Sequence, residues 1–86
     1  MLVNVAYMHI AAGRLTGFVP VAAQLGSDHW MPIVALAQAA IKRGRRDIAC
    51  DVFTAADQPG QQRDYLRQRC IELTGAPPAP LRPGGR

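Results

Sequence analysis

The sequence predicts an all-α fold of about five short helices arranged as antiparallel hairpins. Three observations carry this. Apolar residues recur at helical spacing, no segment sustains period-two alternation, and glycines cut the chain at Gly13, Gly17, Gly26, Gly44, Gly60 and Gly75.

The first helix is expected over about Leu2–Ala12. It is apolar almost all round (Leu2, Val3, Val5, Ala6, Met8, Ile10), and such a helix is stable in water only if covered on more than one side. The second runs from Thr16 or Phe18 to Leu25, with Thr16 as a candidate N-cap and Pro20 in the first turn, where its missing N–H matters least. The third spans Asp28 or Trp30 to Arg43, with Ser27 or Asp28 as N-cap. Trp30, Ile33, Val34, Ala37, Ala40 and Ile41 form its buried stripe, and Lys42 and Arg43 meet the negative end of its dipole. The fourth covers Arg46–Ala56 with Ile48, Ala49, Val52, Phe53 and Ala56 inward, and Asp57-Gln58-Pro59-Gly60 stops it. The fifth runs over Gln61–Thr74 with Leu66, Cys70 and Leu73 inward and Arg63, Asp64, Arg67 and Glu72 outward. There Arg63, Arg67 and Arg69 are expected to be partly neutralised by Asp64 and Glu72. After Gly75 the Pro/Gly-rich stretch 76–86 reads as an extended, flexible tail.

Gly13, Gly44 and Gly75 end the odd-numbered helices at intervals of 31 residues. "HIAAGRLTGFVPVAAQLG" aligns with "AIKRGRRDIACDVFTAADQPG": helix, Gly-Arg, a short helix ending near Ala-Ala, then a glycine turn. In "LAQAAIKRGRRDIACDVFTAA" the pattern Leu36, Ala37, Gly44, Ala49, Phe53, Ala56 resembles a tetratricopeptide-like helical repeat. The likeness covers residues 28–57 and, more weakly, 1–26. It departs from that family in a spacing shorter than roughly 34 residues and in lacking a large aromatic near the turn. The resemblance implies an α-solenoid fragment with units at about 1–26 and 28–59 and a partial unit at 60–75. It also implies a role in presenting a surface to another macromolecule.

Chemistry-bearing constellations are scarce. His9, His29, Cys50 and Cys70 form no local metal-ligand pair, so no metal or other cofactor is expected. Both cysteines read as reduced core thiols. Asp47 and Asp51 are spaced for one helix face but are flanked by Arg43, Arg45 and Arg46, and no phosphate loop or dinucleotide fingerprint is present. The expectation is a non-enzyme.

Two surfaces stand out. One is apolar: Leu2, Val5, Met8 and Ile10 of the first helix, with Trp30 as either a core anchor or a binding hot spot. These would dock on a protein partner or a second copy. The other is basic: Lys42, Arg43, Arg45 and Arg46 at the 42–46 turn, joined by Arg14 from the equivalent turn if the units stack. These residues read first as solvated charges at a helix end, and alternatively as a phosphate-contacting patch for nucleic acid. The net charge of +4 favours acidic partners without choosing among them. The longest apolar stretch, Met1–Ala12, is broken by Asn4 and His9 and is too short to span a bilayer, and it lacks the positive n-region and small-residue cleavage site of a signal peptide. A cytoplasmic location is therefore expected.

Overall fold

Helices occupy most of the chain between Leu2 and Thr74, and each stops where its sequence stops favouring the ladder. The computed structural model describes residues 2–78. In chain order it contains α1 (Leu2–Ala12), a 3₁₀ turn (Leu15–Gly17), α2 (Phe18–Leu25), α3 (Trp30–Lys42), α4 (Arg46–Ala56) and α5 (Arg63–Thr74). No strand occurs among the described residues.

The glycines 31 residues apart all have positive φ, +71° at Gly13, +75° at Gly44 and +86° at Gly75. An L side chain is disfavoured in this left-handed region, whereas glycine enters it freely. At the first two corners the backbone forms the same pair of hydrogen bonds. Gly13 N–H donates to Ile10 and Arg14 N–H to His9. Likewise Gly44 N–H donates to Ile41 and Arg45 N–H to Ala40. Carbonyls left over at each helix end are thereby satisfied. At the third corner Gly75 N–H donates to Ile71 alone.

Each helix packs on the helices one and two places along the chain: α1 on α2 and α3, α2 on α3 and α4, α3 on α4 and α5, and α4 on α5. This places α1, α3 and α5 in one layer and α2 and α4 in the other. Phe18, Ile33, Leu36, Val52 and Phe53 are the largest fully buried apolar side chains between them. Small residues make the close approach possible. Ala22, Ala37, Ala40, Ala49 and Ala56 are fully buried where a larger side chain would hold the helices apart.

Two N-cap expectations are corrected. The residue before α2 is Gly17 and the residue before α3 is His29, and neither provides a side-chain cap. Thr16 sits inside the 3₁₀ turn. Ser27 and Asp28 are used across the fold instead. Buried Ser27 donates its hydroxyl to the carbonyl of Gln58, 31 residues on, at 2.8 Å. Asp28 accepts from the Gln61 backbone N–H. Gln58 completes the seam with bonds from its amide to the carbonyls of Ala23 and Ala55. The α2–α3 and α4–α5 loops are therefore tied to each other. Capping chemistry read from sequence sees only the helix next to it, and here the tertiary partner competes successfully.

The fifth helix begins at Arg63, two residues later than expected, because residues 61 and 62 complete the turn after Gly60. Its arginines also choose different partners. Arg63 and Arg67 both grip Asp57 at 2.9–3.0 Å, leaving Asp64 aside, while Arg69 pairs with Glu72 as expected. The stretch following Gly75 starts ordered. The Ala76 carbonyl accepts from Thr74 Oγ1 at 3.0 Å and from Cys70 Sγ at 3.1 Å. The rest of the expected tail, 79–86, lies outside the described residues.

Candidate interaction surfaces on the first and third helices

The apolar residues singled out in α1 divide between its two faces. Ala6 is fully buried, and Val3 and Ile10 pack half-buried on the core. Away from the core Met8 stands 63% exposed, with Val5 on one flank at 36% and Tyr7 on the other at 43%, beside exposed Asn4, Ala11 and Ala12. The helix contains no Asp, Glu, Lys or Arg, so nothing on this face is charged. Ile10 is thus foremost a packing residue, and Val5 and Met8, joined by Tyr7, carry the bare surface. Tyr7 went unnoticed in the sequence because a tyrosine within an apolar run carries no signal of its own. The side chain of Leu2 lies outside the described residues.

Trp30 is half-buried against the core and meets Tyr65 of α5 edge-on, with ring centroids 5.1 Å apart and planes at 74°. That geometry sets the positive edge of one ring on the negative face of the other. Trp30 is therefore an anchor between α3 and α5. The exposed apolar residue at this position is its neighbour Met31, at 58% exposure.

The basic residues cluster as corners. Arg43 reaches from the end of α3 to two backbone carbonyls, donating from Nη1 to Ala39 at 3.1 Å and from Nη2 to Ile10 at 3.3 Å. It thereby joins the last turns of α1 and α3. A Cβ at Gly13 would lie 3.7 Å from the same guanidinium, so the corners at 13 and 44 are neighbours. Arg45 forms a two-bond pair with Asp47 at 3.0 and 3.1 Å, which raises the arginine's proton affinity and holds the Asp47 carboxyl below its ordinary range. Arg14, Lys42 and Arg46 are exposed and make no ion pair among the described residues.

Between α1 and α3 runs an open groove of about 550 Å³ lined by Ile10, Ala35, Gln38, Ala39, Lys42 and Arg43. Its size falls in the ordinary range for ligand clefts. Three of its lining residues, Ala35, Gln38 and Ala39, carry no sequence signal, because alanine and glutamine in a helix read as filler.

The remaining polar groups are structural. Cys70 is buried at the α4–α5 contact, where desolvation pushes its thiol pKa up despite the Thr74 hydroxyl beside it. That favours the inert, protonated form. Cys50 is half-buried. His29 bonds back to the Leu25 carbonyl at 3.0 Å, and the His9 ring fills the space that a Cβ at Gly17 would need. Among the described residues no group of three or more His, Cys, Asp or Glu is gathered to hold a metal ion, and no helix is long and apolar enough to cross a membrane. The chain matches no protein-family model, no curated protein and no solved structure.

Proposed function

We propose that the chain is a non-catalytic protein–protein interaction module of the tetratricopeptide-like kind, working in the cytoplasm and docking through α1 onto a protein partner or a second copy. The observation that carries this reading is the uncharged exposed surface of α1, where Val5 and Met8 are neighbours one turn apart and Tyr7 stands exposed on the other flank. Complete burial of one such side chain contributes about 1.5–3 kcal/mol. These three are one-third to two-thirds exposed, so covering them recovers roughly half of that each, a contribution that a specific contact adds to the burial of neighbouring surface. The repeat reading draws support from the common left-handed corners at 13, 44 and 75 and from the Ser27–Gln58 bond, which spans the same 31-residue interval.

The test is Met8→Asp, together with a photo-crosslinking amino acid at position 8. The crosslinker is expected to trap a protein, either a second copy or another chain. Met8→Asp is expected to abolish that contact while melting at the parent temperature, because Met8 touches solvent and not the core. Absence of any adduct, with solution mass unaltered by Met8→Asp across the micromolar range, would overturn the proposal.

A second reading, nucleic-acid binding through the corner cations, is favoured by Arg14, Lys42 and Arg46, which are exposed and make no ion pair among the described residues. Against it stand the neutralised Arg45 and the backbone-bonded Arg43. Such binding would fall steeply with salt, whereas docking through an uncharged helix face would not.

A further inference from the structure

We infer that the groove between α1 and α3 is a binding site for an acidic peptide segment, one that sets an apolar side chain on Ile10, Ala35 and Ala39 and a carboxylate at Lys42 and Arg43. The first argument is charge distribution. Among the described residues Arg45, Arg63, Arg67 and Arg69 are each paired with a carboxylate. The described cations without one are Arg14, Lys42, Arg43 and Arg46, and all four lie at or beside the corners that close this end of the groove. Uncompensated positive charge is therefore concentrated in one place, and no acidic residue lines the groove. A carboxylate arriving there meets complementary potential with nothing to repel it.

The second argument is preorganisation. The Arg43 guanidinium is held by the carbonyls of Ala39 and Ile10, which use only part of its five-donor fork. Its remaining donors are fixed in direction before any ligand binds, so less side-chain freedom is lost on pairing. Lys42 adds a mobile ammonium, and Gln38 an amide that can bond a peptide backbone.

The third argument separates peptide from nucleic acid. The groove is floored by small aliphatic residues and offers no aromatic face for a base, and Trp30 and Tyr65 are spent on each other. Two of the four cations line it directly, which suits one or two carboxylates set beside an apolar side chain. The inference shares the interaction-module reading but uses a different surface, so the two fail separately.

The experiment uses the full chain and a fluorescent peptide alternating leucine with aspartate and glutamate, compared with the same peptide carrying asparagine and glutamine, and with a single-stranded oligonucleotide. The acidic peptide is expected to bind saturably, to shift the amide resonances of Ile10, Ala35, Gln38 and Ala39, and to weaken by about tenfold in Lys42→Glu. Gln38→Glu, nearly isosteric and at an exposed position, should weaken it in the same direction. Met8→Asp should leave it unchanged, which separates failure of this site from failure of the α1 surface. Equal binding of the amide peptide, unaltered affinity in both groove variants with parental melting, or tighter occupancy of the same resonances by the oligonucleotide would each overturn the assignment.

Discussion

Replacing Gly44 with alanine isolates backbone conformation from packing. A Cβ at this position meets no atom within 4 Å, so the substitution creates no clash and removes no contact. What remains is φ at +75°, where an L-residue costs about 1–2 kcal/mol. For a domain of this size each kcal/mol lowers the melting temperature by about 4–8 °C, so Gly44→Ala should melt roughly 4–16 °C below the parent. The mirror-image control is D-alanine at position 44, introduced by chemical ligation. It accepts positive φ without strain and narrows the unfolded ensemble, so it should gain about 0.4–1 kcal/mol. Both variants add one methyl group, and the chirality of the Cα that carries it distinguishes them. Thermal and urea unfolding followed by circular dichroism would measure the pair. If both forms shift stability alike, or if L-alanine is neutral, then the corner is not left-handed and the α3–α4 hairpin is wrongly described.

Two further outcomes follow from the loop seam. Asp57, only 12% exposed, has its carboxyl held below the ordinary range chiefly by the hydrogen bond from Arg67 and then by Arg63. Because its folded-state pKa is depressed, the stabilisation is fully present above the unfolded carboxylate pKa of about 3.9 and is lost as pH falls through the lower folded value. Urea midpoints measured from neutral pH into that acid range should therefore fall more steeply for the parent than for Asp57→Asn, and parallel curves would contradict the double clamp. Ser27→Ala leaves the Gln58 carbonyl without its hydroxyl donor and should cost about 1–3 kcal/mol in denaturant unfolding, with a neutral result showing that this bond does not tie the loops together.

Much of the fold could be read from the chain because its signals are local. α1 and α4 lie at their expected bounds, since Gly13 ends the first by backbone geometry, and the Gly44 corner and the Asp57-Gln58-Pro59-Gly60 turn bracket the fourth. The buried set of α4, Ala49, Val52, Phe53 and Ala56, follows directly from apolar spacing on one helix. What was not legible depends on residues brought together by packing. Ser27 and Asp28 have the chemistry of N-caps but bond to Gln58 and Gln61, which no helix-end rule contains. Arg63 and Arg67 look suited to Asp64, yet the turn at Pro59-Gly60 brings Asp57 back to both of them. Of the two surfaces, the α1 face was visible because a charge-free apolar helix is unusual. The α1–α3 groove was not, because Ile10 and Arg43 stand 33 residues apart and become neighbours only when the hairpins stack.

The guanidinium of Arg43 serves the final turns of two helices at once, and this links their motions. The first helix cannot unravel from its last turn without breaking a bond whose donor follows the third, and loss of that cation would leave the Ile10 carbonyl with its local Gly13 donor alone. Local opening at the amino-terminal hairpin is thereby coupled to position 43. Hydrogen exchange near Ile10 would report the state of a side chain that ordinary helix-fraying arguments would never consult.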